Sequence, residues 1–143
     1  MSNRQWRIIG AFTIFIATII CYWPALRGNF IWDDDRHVWQ NPTLKNLHGL
    51  ERIWLQPGAT PQYYPLTHTT FWLEYQSWHT ITFWYHLDNV LLHVASALLL
   101  WLLLRRLQVP GAWLAAAIFA LHPVNVESVA WISERKNCLS MFF

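Results

Sequence analysis

IIGAFTIFIATIICYWPAL, from Ile8 to Leu26, runs 19 residues without a charge between Arg7 and Arg27. A helix of that length spans a hydrocarbon core of roughly 30 Å. A cleaved signal peptide is the competing reading. Against it, the run is long, no clean small-x-small cleavage site follows, and Ile20 before Cys21 does not suit a lipoprotein signal. The stretch reads as a retained membrane helix, and the chain as an all-α integral membrane protein.

Two further apolar runs extend this reading. Asn89 to Leu104 closes on Arg105-Arg106 and has Phe83-Trp84-Tyr85 as an aromatic belt, which predicts a span over 86–104. A third span is predicted over 109–126. Its small residues Ala112, Ala115, Ala116, Ala117 and Ala120 suit close approach to neighbouring helices. Residues 127–137 form a polar turn, and Leu139-Ser140-Met141-Phe142-Phe143 reads as a fourth span, opening at 138, that breaks off. The long segment 27–85 is rich in Trp and Tyr, a composition for packing. Leu66 to Trp84 suits one or two short interfacial helices.

Composition agrees. The chain is 55% hydrophobic and 13% charged, against about 25% charged in soluble proteins, too few charges for a water-facing surface. Net charge is +2 with no basic stripe, which excludes a nucleic-acid partner. Cys21 and Cys138 lie in or beside apolar segments and suggest neither a disulfide framework nor a zinc site. Arg4, Arg7, Arg105 and Arg106 flank the spans on one side with no acid among them. The positive-inside rule places that side, with the N-terminus, in the cytoplasm. Segments 27–85 and 127–137 are then outside, and they hold every acidic residue except Asp88, which sits at the outer boundary.

Three polar groups stand out. Phe30-Ile31-Trp32-Asp33-Asp34-Asp35-Arg36 packs three carboxylates together, an arrangement that calls for a cation, a base role or solvation. It is no calcium loop of the EF-hand type, since the sixth position is Val38 and the twelfth Leu44. His122-Pro123, Glu127 and Glu134-Arg135-Lys136-Asn137 gather acids and bases at the mouth of the third span. Glu127 directly follows an apolar run, where an ionised group is expensive and often functional. On the second span, His86, Asn89 or Val90, and His93 share one helical face, and for His93 a structural hydrogen bond is the better reading than catalysis. No phosphate-binding glycine loop and no paired-histidine metal motif is present.

In this order the motifs resemble the transmembrane and tetratricopeptide-repeat (TMTC) proteins and their bacterial relatives. These are GT-C glycosyltransferases akin to protein O-mannosyltransferases. The stretches Gln62 to Thr67, Tyr85 to His93 and Glu127 to Ser140 look like the bacterial branch. The resemblance implies a GT-C-type helix bundle, of which this chain carries three spans and the start of a fourth, in a bacterial inner membrane. It implies transfer of a sugar, typically mannose, from a polyprenyl-phosphate carrier in the lipid to a protein or glycan hydroxyl outside the cytoplasm. A non-catalytic scaffold presenting downstream tetratricopeptide repeats is the alternative.

The family's Asp-Asp pair falls on Asp33 and Asp34 and its following Arg on Arg36, leaving Asp35 at a variable position. The His-Pro-x-x-x-Glu motif falls on His122 and Glu127, and the later basic residue on Arg135. The surroundings of Glu134 and Lys136 depart from the animal branch. The roles implied are catalysis by Asp33 and Asp34. Donor phosphate or substrate binding falls to Arg36, His122, Glu127, Glu134, Arg135 and Lys136. Chemistry supports such a division, because an inverting transfer needs a carboxylate base and cationic partners for the leaving phosphate. No cofactor is called for with certainty, and a divalent metal remains open. The 143 residues alone are expected to be inactive.

Overall fold

The Ser2 hydroxyl accepts from the Gln5 N–H at 3.3 Å while the Gln5 side chain accepts from the Ser2 N–H at 2.8 Å. This capping box starts helix α1, Asn3–Cys21. The computed structural model describes residues 2–143, and among them there is helix and loop but no strand. Helix α1 lies about five residues N-terminal to the predicted 8–26. It ends at Tyr22 because Pro24 lacks the N–H that another turn would need.

Short helical turns and α2 (Leu47–Leu55) follow, then α3 (Pro65–Trp78), a helix in the stretch where one or two short helices are expected. Helix α4, Thr82–Arg106, is longer than the predicted 86–104. The third predicted span is broken. Helix α5 (Ala112–Leu121) stops at His122, which Pro123 holds extended (φ −71°, ψ 130°). A tight turn and α6 (Val126–Ala130) then continue at an angle of 47°. Helix α7, Arg135–Phe142, closes the described chain. Two helices, α1 and α4, are long and apolar enough to cross a membrane, or three spans if the bent pair is one.

Helix α4 is the axis of the bundle. Ala112, Ala116 and Ala120 recur every four residues and are buried against Ala97, Trp101 and Ile14. Their small side chains let α5 lie close to α4 and α1. The His93 Nε2–H donates to the Ala120 carbonyl at 3.0 Å, a bond that fixes α4 to α5. Beyond the helix ends, Val38, Leu44, Ile53, Phe71, Tyr85 and Ile132 form a separate core under a polar lobe. The polar residues of interest lie on that lobe.

Candidate functional site

Trp32 begins the site. Its backbone is left-handed (φ +48°), an uncommon and costly conformation for a bulky residue. Its indole meets Trp131 edge-on at 5.2 Å. The reversal at Trp32 leads into one turn of π-helix, Asp35–Trp39, in which the Gln40 N–H donates to the Asp35 carbonyl at 2.7 Å. Single π turns are frequent at functional sites. Here the turn divides the three adjacent carboxylates among different environments.

Asp33 is exposed, and its side chain accepts no hydrogen bond among the described residues. Asp34 is fully buried. Its Oδ2 accepts from the Ile31 N–H at 3.1 Å and its Oδ1 from the Ser133 N–H at 2.8 Å. Burial raises the Asp34 pKa, and these backbone donors oppose the rise. Asp35 is half-buried in a 490 Å³ cleft with Phe30, Trp39 and Phe83. The three are not equivalent. Asp33 is free, Asp34 staples the first polar segment to the second, and Asp35 faces another cleft.

Arg135 does not face solvent or a ligand. It is 1% exposed, and all five of its N–H groups are taken. Two go to the Glu74 carboxylate on α3, at 2.8 and 3.0 Å. The others go to the Thr70 hydroxyl at 3.2 Å, the Tyr85 carbonyl at 2.9 Å and the Asn89 Oδ1. The expected phosphate contact at Arg135 therefore meets a physical obstacle, since no donor remains for an anion. Arg135 joins α3, α4 and α7 at one point, two residues after Ser133.

Glu74, not singled out in the sequence, completes that joint. Burial pushes its carboxyl up to about 7, with the Arg135 guanidinium pulling the other way and Asp88 adding to the rise. Its sequence signal is a lone acid inside Phe71-Trp72-Leu73-Glu74-Tyr75. A carboxylate in such a stretch needs a buried partner.

The charges of Asp33, Glu134 and Lys136 all bear on His37. His37 is buried, and burial lowers its pKa, with Asp33 opposing. It stacks on His68 at 5.4 Å. His68 donates through Nδ1 to the Tyr64 carbonyl at 3.1 Å, and burial pulls its pKa down to about 4. Lys136 pairs with Glu134 and lies 6.0 Å from the Tyr64 ring. Glu134 also accepts from the Asn137 amide at 2.6 Å. Beside Lys136 opens a 480 Å³ cleft lined by Tyr63, Tyr64, Leu66, Asn137, Ser140 and Phe143.

Arg36 is exposed on the π turn and makes no ion pair among the described residues. His122 and Glu127 are not drawn into this group. The His122 Nδ1 accepts from the Val124 N–H at 3.2 Å, and the residue borders an apolar groove with Trp113 and Leu121. Glu127 is exposed in the first turn of α6. No hydrogen bond or ion pair ties either one to the acidic triplet among the described residues.

The class so defined is a helical chain with membrane-length apolar helices and a carboxylate-and-amine site where two polar segments are stapled together. The particular family comes from comparison. The chain is 31% identical to a Caenorhabditis elegans protein O-mannosyl-transferase over 99% of its own length. It is 30% identical to the Drosophila melanogaster protein O-mannosyl-transferase Tmtc3 over 97%, and 30% to human TMTC3 over 86%. It is thus a relative of the TMTC protein O-mannosyl-transferases. It spans about a fifth of their length: 23%, 18% and 14% of these three. No protein-family model and no solved structure matches the chain.

Proposed function

We propose that the full-length protein is a GT-C-type glycosyltransferase. It moves a sugar, mannose by the names of its relatives, from a polyprenyl-phosphate carrier to a protein or glycan hydroxyl on the extracytoplasmic side. The observation that carries the reading is the Asp34–Ser133 staple. It ties the segment that carries Asp33 to the segment that carries Lys136, and both charges bear on His37. A base and a cation so placed suit an acceptor that loses a proton and a donor that leaves as phosphate.

In this scheme Asp33 takes the proton from the acceptor hydroxyl. The acceptor oxygen forms its bond to the anomeric carbon as the carbon–phosphate oxygen bond breaks, and the bonding pair stays on the phosphate. Lys136, paired with Glu134, and Arg36, which makes no ion pair among the described residues, stabilise that charge. The prenyl chain follows the cleft beside Lys136 past Leu139 and Phe143, while Tyr63 and Tyr64 offer ring faces to the sugar. Asp34 and Arg135 act through position. Among the described residues no group of three or more His, Cys, Asp or Glu side chains that could hold a metal ion gathers at Asp33.

Mannosyl transfer from polyprenyl-phosphate mannose by the full-length protein tests the reading. Asp33→Asn keeps the shape and removes the base, so turnover falls about 10²–10⁴-fold with little change in donor KM. Near-parental turnover refutes the assignment. A correctly folded full-length protein with no transfer to any hydroxyl acceptor moves the reading to a non-catalytic scaffold.

A further inference from the structure

At the opposite end of the bundle from the polar lobe lies a feature the proposed chemistry does not use. Helices α1, α4 and α5 enclose a 750 Å³ cleft beside the N-terminus of the bundle, walled by Trp6, Trp101 and Trp113. Arg7 and Arg105 line it. Arg105 lies over the Trp101 ring at 5.6 Å. Neither arginine makes an ion pair among the described residues. None is within reach along the chain either, because 1–32 and 89–126 hold no acidic residue. Two uncompensated guanidinium groups therefore border one cleft.

The cleft is built. The Trp113 Nε1–H donates to the Gly10 carbonyl at 3.1 Å, which pins one wall. A side chain at Gly10 would place its Cβ 2.9 Å from the Trp101 ring and 3.1 Å from Trp113. Glycine is thus what lets both rings close on α1. Helix α5 begins at the same rim, with Ala112 on the lining. Its N-cap, Gly111, offers no side-chain cap, which leaves the first N–H groups of a ten-residue helix unpaired. Those groups favour an anion, as the guanidiniums do.

We propose that this cleft binds an anionic membrane phospholipid at the end of the bundle that carries the N-terminus. Its phosphodiester would sit between Arg7 and Arg105, and its acyl chains would lie along Ile9 and Thr13. The occupant follows from charge and place. Guanidinium pairs with phosphate bidentately, tryptophans collect at headgroup depth, and basic pockets between membrane helices take lipid head groups. A zwitterionic lipid brings its own cation toward two arginines and is disfavoured. The site is independent of the sugar chemistry.

The test uses the full-length protein in nanodiscs of phosphatidylglycerol and phosphatidylcholine, with bound lipid counted by native mass spectrometry. Parental protein should retain phosphatidylglycerol in preference to phosphatidylcholine. Arg7→Gln with Arg105→Gln should lower that retention about tenfold or more and leave phosphatidylcholine unchanged. Gly10→Leu, which fills the cleft, should do the same where it folds. The arginine pair keeps the test decisive where it does not. Equal retention by parent and arginine variant overturns the proposal. So does a cysteine at Thr13 that stays shielded from a lipid-phase thiol reagent in every lipid mixture, because protein then covers the cleft.

Discussion

Arg135→Met converts the joint of the polar lobe into a buried acid with no partner. The variant loses all five donated hydrogen bonds. It leaves Glu74, itself 3% exposed, beside Asp88 with no cation. Breaking a buried pair by removing one member costs about 3–5 kcal/mol, and the orphaned Asn89 and Tyr85 oxygens lie within that range. The loss depends on pH. Glu74 already has its pKa raised by burial from 4.5 to about 7, and removing Arg135 takes away the lowering contribution. The folded variant therefore holds a proton that the unfolded chain releases near 4.5, and stability falls as pH rises through 4.5 and beyond 7.

At pH 8 the full cost should be visible, and at pH 5 much less of it, because a neutral carboxyl needs no counter-ion. Glu74→Leu with Arg135→Met removes both charges and should recover most of the loss. Coupling of about 3 kcal/mol in the double-mutant cycle is expected. Thermal unfolding of the purified full-length protein in detergent at pH 5 and pH 8 reads these differences. A single variant within about 0.5 kcal/mol of the parent at pH 8, or a double variant whose loss equals the sum of the singles, would refute the buried-joint account.

Two further predictions concern the lobe and the topology. His68 has its pKa lowered to about 4 by burial, with stacked His37 adding to the shift. The unfolded chain thus binds the proton first, and stability drops as pH falls from 6.5 toward 4, by on the order of 3 kcal/mol at most. Asp33, Glu134 and Lys136 bear on the neighbouring His37. His68→Phe should flatten the acid limb of the unfolding profile, and an unchanged limb would assign it elsewhere. Cysteines placed singly at Ser2 and Gly58 should react unequally with an impermeant thiol reagent on intact cells, Gly58 alone being reached. Equal labelling would remove the orientation argument.

The membrane helices were legible because apolar runs bounded by arginines are a local signal. The break at Pro123 was equally local. A missing N–H and an extended His122 follow from that one residue, although a composition reading of 109–126 passes over it. The polar lobe was harder. Nothing in Asp33-Asp34-Asp35 tells which carboxylate turns inward. That division depends on the left-handed turn at Trp32 and on an N–H from Ser133, 99 residues further on. Arg135 is legible as a basic residue, but its role depends on Glu74, 61 residues away on another helix. Long-range pairing of this kind leaves only a weak mark, an acid isolated among aromatics, that periodicity does not detect.

The same separation has a consequence for biogenesis. Glu74 leaves the ribosome well before Arg135. At about 5–20 residues per second, the 61 intervening residues take roughly 3–12 s to synthesise. Throughout that interval α3 waits at the membrane with an unpaired acid, while α4, α5 and α6 are made and inserted. Until the guanidinium arrives, the Glu74 carboxylate has no buried partner for α3 to close on. Completion of the lobe thus becomes a late checkpoint in insertion. A nascent chain arrested before residue 135 should leave α3 open to protease, and one arrested well after it should not.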